Sequence, residues 1–197
     1  MQSAETEQRL VSLSGDFSTL FDIEDYQLMF KSPDEITIIL RAHLILEEFL
    51  NLWCSKITNT KDLFSGSVIS FQVKLTIAKN LGLDAEYASV LERFNAIRNK
   101  FSHVRKHKIT TRDIDSLRIQ INSLSSQMKL QPCEKFHVYG QGLNEFGEKI
   151  ETTHNWEESA KVQILILFVQ LMLKITQYMQ SSFIARGIKY DLIVTPM

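Results

Sequence analysis

From residue 32 onward, apolar residues recur at i, i+3, i+4 and i+7 through several stretches, the mark of amphipathic helices. The first stretch opens at Ser32-Pro33-Asp34-Glu35. Ser32 is suited to N-cap, Pro33 to the first helical position, and Glu35 completes a capping box. This helix is expected to reach residue 57, with Ile36, Ile39, Leu40, Leu44, Leu46 and Leu50 as its apolar face. His43 and Glu47, four residues apart, fall in the middle of that face. Arg41 and Glu48 mark the wet side, although Ile45, Phe49 and Leu52 imply cover on more than one side. A second helix at 68–81 presents Ile69, Val73, Leu75 and Ile77 and ends at Gly82, a natural C′ residue. Asp84 caps a third, whose seam is Tyr87, Val90, Leu91, Phe94, Ile97 and Phe101. Thr110-Thr111-Arg112-Asp113 opens a fourth, bearing Ile114, Leu117, Ile119, Ile121 and Leu124.

The pattern changes on either side of these helices. Residues 1–31 begin polar, then show Phe17, Leu20, Phe21, Ile23, Tyr26, Met29 and Phe30, which predicts a short helix or two laid over the rest. Residues 58–67 read as a polar connector. Pro132, Gly140, Gly142 and Gly147 cluster in 129–155, where 136–139 and 149–152 are expected to pair as a small hairpin inserted between helices. Asn155-Trp156-Glu157-Glu158 then supplies an N-cap with Glu three residues on, opening a very apolar helix to 183 that should form the central core. The expected fold is all-α: an antiparallel bundle of four or five helices over 32–185, with 1–31 packed on it and 186–197 as a tail.

Composition narrows this only a little. A chain of 197 residues, 44% hydrophobic and 23% charged, fits one soluble domain with a substantial core. Seven Gly and three Pro are too few for an all-β sandwich built on tight turns. The net charge of −1 gives no global pull toward nucleic acid or membrane, so any such pull must come from local clustering. Cys54 and Cys133 match no C-x-x-C pattern and read as reduced thiols of a cytosolic protein. The polar, acidic N-terminus is no signal peptide. The most apolar run, 164–173, is interrupted by Gln170 and shorter than the roughly 20 residues that span a bilayer. A cytoplasmic protein with no membrane partner is the expectation.

Two polar residues stand out of place. With Phe94 at the centre of its seam, Arg98 falls about 40° away, inside the apolar face, while Asn99 and His103 lie toward the other side. Leaving a buried guanidinium unpaired costs roughly 3–5 kcal/mol. Glu47, equally misplaced on the first helix, is the expected partner, either as a structural ion pair or as a carboxylate orienting a functional Arg. Arg93, Arg98, Lys100, Arg105, Lys106, Lys108 and Arg112 also crowd between Glu92 and Asp113. That run suits phosphate binding, and equally the complementing of a helix dipole. His103 and His107 are four apart but separated by Val-Arg-Lys, without the glutamate of a zinc-binding H-E-x-x-H, so no metal is expected. His43 with Glu47 reads as core groups by the same test, and His137 and His154 suggest nothing specific. No Gly-rich phosphate loop or G-x-S-x-G elbow occurs, and no cofactor is implied.

Arg98-Asn99-Lys100-Phe101-Ser102-His103 resembles the R-x4-6-H signature of the HEPN superfamily, with Asn99 as the polar residue after the Arg. The wider segment is similar to the mannitol operon repressor-like (MltR-like) branch. The similarity runs through Phe71-Gln72-Val73-Lys74-Leu75, Leu81-Gly82-Leu83, Glu86-Tyr87 and Ile109-Thr110-Thr111-Arg112-Asp113-Ile114, over 35–125. The resemblance implies a helical bundle and a metal-independent endoribonuclease acting as a homodimer. In that chemistry the ribose 2′-OH attacks the adjacent phosphate, leaving a cyclic phosphate and a 5′-OH. His103 would move the proton, as an imidazole with an ordinary pKa of about 6.5 is suited to do. Arg98 would stabilise the phosphorane and Asn99 hold the His ring or a phosphate oxygen. His43 and Glu47 would support Arg98, and Lys100, Arg105, Lys106 and Lys108 would bind RNA phosphates. The biological role implied is a toxin or defence effector held by an antitoxin partner; the alternative is a non-catalytic MltR-like regulator or interaction module. On a regular helix Arg98 and His103 point about 140° apart, so either the helix breaks near Ser102 or two copies assemble the site. Some HEPN toxins carry a Tyr two residues after the His, where this chain has Arg105, so regulation through that Tyr does not carry over.

Overall fold

The most apolar stretch of the chain forms its centre. In a computed structural model describing residues 11–103, 108–143 and 149–196, α6 (Ala160–Ala185) packs against α2 (Glu35–Thr58) and α5 (Thr111–Ser123). α2 in turn packs against α1 (Ile23–Lys31), α3 (Phe71–Asn80) and α4 (Ala85–His103). The fold is mostly helical, as the periodicity implies. Phe49, Leu50 and Trp53 of α2 meet a core that includes Ile164, Leu167, Phe168, Leu171 and Phe183 of α6, all at 0% exposure. By length and composition α6 is apolar enough to cross a membrane, yet 72% of its most apolar window is buried inside the protein. Its two buried polar residues, Gln170 and Lys174, each donate to backbone carbonyls outside the helix. Gln170 Nε2 donates to Gln131 O at 2.6 Å, and Lys174 Nζ donates to Ile121 O at 2.6 Å and Leu124 O at 3.3 Å.

Helix starts shift by a few residues from the expected positions. α2 begins at Glu35, capped by Asp34, whose Oδ1 accepts from Thr37 N at 2.8 Å. Ser32 Oγ instead accepts from Asp34 N at 3.3 Å. Asp caps as well as Ser does, and starting at Glu35 leaves that carboxylate free to accept from Ile109 N at 2.9 Å. α3 starts at Phe71, with Ser70 as its cap, and leaves Val68 fully exposed. Asn155 and Glu158 close a turn, Asn155 N donating to Glu158 Oε1 at 2.6 Å, and α6 begins at Ala160 under Ser159. The covered side of α2 also differs. Ile38, Ala42 and Ile45 are buried while Ile36, Leu40 and Leu44 are 39%, 37% and 59% exposed. Contacts to α6, α3 and α4 fix that arc, and α2 has more apolar residues than the arc can cover.

Two small sheets accompany the helices among the described residues. β2 (Val138–Leu143) and β3 (Lys149–His154) form the antiparallel hairpin expected in the insertion, with Val138 opposite His154. The second sheet is new: β1 (Val11–Gly15) pairs antiparallel with β4 (Leu192–Pro196), Val11 opposite Pro196. Residues 192–196 are therefore tied to the opening of the chain. Gly15, at φ +85°, is required there, since a Cβ would stand 2.6 Å from Asp191 O. Asp191 N donates to Asp16 Oδ2, and Lys56 Nζ pairs with the same oxygen, joining the sheet to the end of α2. After β1, Phe17 and Leu20 enter the core, and α1 follows with Met29 buried.

Candidate functional site

α4 is built as its pattern requires. Asp84 Oδ1 accepts from Glu86 N at 2.8 Å at its start, and Tyr87, Val90, Leu91, Phe94 and Ile97 are at most 2% exposed along its seam. Gly82 makes the tight exit from α3 at φ +87°, and Leu83 N returns to Ala78 O at 2.9 Å. The helix continues without a break through Ser102 to His103, so the expected interruption near Ser102 does not occur. Ser102 Oγ donates back to Arg98 O at 3.3 Å, an ordinary helical contact. Positions 98 and 103 of the backbone therefore stand about 140° apart around the helix axis. The His103 side chain, together with Arg105, Lys106 and His107, lies outside the described residues.

Beside the apolar seam runs a polar stripe, Asn95, Arg98, Asn99 and Ser102, at i, i+3, i+4 and i+7. Arg98 is half-buried. Its Nη1 donates to Asn99 Oδ1 at 3.2 Å, and its buried Nε meets no acceptor among the described residues. Glu47 does not pair with it. The Glu47 carboxylate takes Lys74 Nζ at 2.7 Å, with Lys74 only 10% exposed at its side chain and lying over the Phe64 ring. Lys74 on α3 reaches across to α2 from the side, whereas Arg98 turns along its own helix to Asn99. The expected Glu47–Arg98 pair is therefore replaced by two separate arrangements.

His43 joins this cluster from below. Its ring packs on Phe71 with centroids 4.5 Å apart, and Nε2 lies 3.1 Å from Asn95 Oδ1. Asn95 Nδ2 in turn lies 3.5 Å from Gln72 Oε1. Burial depresses the His43 pKa below its ordinary value; the hydrogen bond to Asn95 opposes this, the Arg98 charge adds to it, and Glu47 opposes it again. His43 is thus held neutral between a cation and an anion. The sequence gives Asn95 no role and names Gln72 only within the 71–75 stretch, though Asn95 sits one turn before Arg98 on the same stripe.

Lys100 is committed elsewhere. Its ammonium lies 2.8 and 3.1 Å from the Asp113 oxygens, and Asp113 is buried at the start of α5. Thr110 Oγ1 donates to Asp113 Oδ2 at 2.8 Å and accepts from Asp113 N at 3.1 Å. Burial pushes the Asp113 carboxyl up, but Lys100 and Thr110 outweigh it and hold the group below the usual carboxylate range. Lys100 is therefore a tie between α4 and α5 in this structure, whereas Lys108 is exposed.

No group of three or more His, Cys, Asp or Glu side chains that could hold a metal occurs among the described residues. A cavity of 1050 Å³ opens between the end of α2, residues 59–65 and residues 187–189, and its lining includes none of His43, Arg98 and Asn99. The arrangement around Arg98 offers one positioned, incompletely satisfied guanidinium, a neutral imidazole and a group of amides. That set can bind an anion and hydrogen-bond a polar ligand beside it. Comparison with protein-family models, curated proteins and solved structures finds no match for this chain.

Proposed function

We propose that this chain is a HEPN-type metal-independent endoribonuclease that cleaves RNA by 2′-OH transesterification. The observation that carries the reading is Arg98. Its guanidinium is held on Asn99, has no ion-pair partner among the described residues, and keeps a buried Nε without an acceptor. A half-buried guanidinium held in place, whose charge no carboxylate among the described residues takes, is what a phosphate oxygen, and still more a phosphorane, recruits. In the proposed reaction Arg98 stabilises the phosphorane, Asn99 fixes the guanidinium, and His103 takes the 2′-OH proton or returns one to the 5′-oxygen. His43, neutral and against Asn95, supports the face on which Arg98 stands. Lys108, Arg105 and Lys106 contact flanking phosphates.

Because α4 is unbroken through His103, the two motif positions of one chain stand on different sides of the helix, which favours completion of the site by a second copy. Leu40 and Leu44 on α2 and Val73 on α3 are exposed apolar side chains on the two helices that carry His43 and Phe71, and such surface suits a homodimer. The proposed setting is cytoplasmic, as a toxin or defence effector restrained by an antitoxin partner, on a HEPN-like antiparallel bundle. One observation favours a second reading: Lys100, inside the motif, is spent on Asp113. That suits a non-catalytic MltR-like regulator or interaction module in which the motif is structural.

Expression of the wild-type chain alone separates these. The ribonuclease reading expects growth arrest with RNA fragmentation, abolished by His103→Ala in a protein of unchanged fold and oligomeric state. Identical behaviour of the two proteins would leave the regulator reading standing instead.

A further inference from the structure

We propose that Gln72 and Asn95 read a base edge of single-stranded RNA beside Arg98, and so set which nucleotide this chain selects. The inference rests on the ribonuclease reading of the same site. Asn95 is oriented from beneath by His43. Its Oδ1 can only accept, so the 3.1 Å contact makes His43 Nε2 the donor. The other half of the amide, Nδ2, then carries both protons and faces Gln72 Oε1 at 3.5 Å, the outer limit of a hydrogen bond. Gln72 is exposed and Asn95 half-buried. Asn95 is therefore held by His43 and keeps a second Nδ2 proton, while the exposed Gln72 can give up its long contact to Asn95 and turn its amide to a ligand.

A nucleobase carries adjacent donors and acceptors along its Watson–Crick edge, which is open in single-stranded RNA and paired in a duplex. Asn and Gln amides also make two-point contacts on the Hoogsteen edge, as with N6 and N7 of adenine, and that edge too is reachable in a single strand. Arg98 and Asn99 stand one helical turn, about 5.4 Å, further along α4, a separation that a single nucleotide spans from base to phosphate. The guanidinium takes the charge common to all nucleotides, and the neutral amides take the part that differs.

The test is binding of fluorescein-labelled, non-cleavable 2′-O-methyl homopolymers of A, C and U, read by anisotropy. Wild type is expected to separate its best and worst homopolymer by about tenfold in Kd, within the worth of one good two-point base contact. Gln72→Ala, at an exposed position that leaves the fold intact, should narrow that spread to about threefold or less, and Asn95→Ala likewise. Arg98→Ala should weaken all three homopolymers together without narrowing it. Equal affinities in wild type, no binding at all, or an unchanged spread in Gln72→Ala would each overturn the inference. Base-selective binding without cleavage of unmodified RNA in EDTA would sink the ribonuclease reading alone. Cleavage without base-selective binding would sink this one alone.

Discussion

His43 shows how a polar residue is accommodated at the edge of this core. It is 5% exposed, and its neighbours are an aromatic ring, an amide, a cation and an anion. Burial lowers its pKa in the folded state, so the unfolded chain, with histidine near its ordinary value of about 6.5, binds the proton more readily below that pH. The contribution to stability is therefore complete above about 6.5 and is lost as pH falls toward the folded-state value. Urea denaturation of wild type and His43→Gln at pH 7.5 and 5.5 checks this. Wild type should lose more stability on acidification than the variant, and equal losses would mean that His43 is not held neutral. Glu47 is the second residue to test. The structure predicts clear coupling between Glu47→Ala and Lys74→Ala, on the order of 1 kcal/mol, and weaker coupling between Glu47→Ala and Arg98→Ala. A stronger Glu47–Arg98 term would reverse the assignment. A wheel of each helix flags Glu47 and Arg98 as misplaced, but it says nothing of how α3 is set beside α2. Lys74, one of several lysines in its region, gives no local sign that it is the partner.

At the level of elements, the tie between α4 and α5 is the most exposed to test. Asp113 is buried, takes Lys100 and closes a reciprocal bond with Thr110. Asp113→Ala removes all of these side-chain contacts and should cost about 2 kcal/mol in chemical denaturation at neutral pH. Because the folded-state pKa is depressed, that stabilisation is present above the ordinary carboxylate value of about 3.9 and is lost as pH falls below it. A loss under about 0.5 kcal/mol would show the tie to be incidental. The helices and the hairpin were legible in the sequence because both depend on short-range signals. Tyr87 to Phe101 repeats at helical period, and Gly140, Gly142 and Gly147 punctuate the strands. The sheet of β1 and β4 was not legible, since Val11 finds Pro196 at the other end of the chain and each strand is only five residues long. The covered side of α2 was legible only in part, Ile39, Leu46 and Leu50 being buried and Ile36, Leu40 and Leu44 not, for a related reason. A helix apolar nearly all round shows burial without showing direction, and only the positions of α3, α4 and α6 choose among its faces.

For the whole molecule, the question is whether the polar face around Arg98 serves chemistry or packing. α6 and α2 supply a core that needs nothing from Arg98, whose Nε is left without an acceptor among the described residues. A group placed at such a cost and not otherwise required for the core is where function is expected. On the proposed ribonuclease reading, the unbroken α4 makes cleavage depend on association of two copies. Dilution below the dimer dissociation constant should therefore abolish cleavage faster than it abolishes folding, by activity and circular dichroism on the same samples. Activity proportional to protein concentration down to monomer would argue for a site complete in one chain. The most direct test of the account is the initial rate at which 2′,3′-cyclic phosphate ends form on single-stranded RNA in excess EDTA, wild type beside Arg98→Ala. The account predicts metal-independent formation of these ends by wild type and a fall of about 10²–10³-fold in the variant, with its helical circular dichroism retained. Equal rates in the two proteins, or no such ends from either, would contradict it.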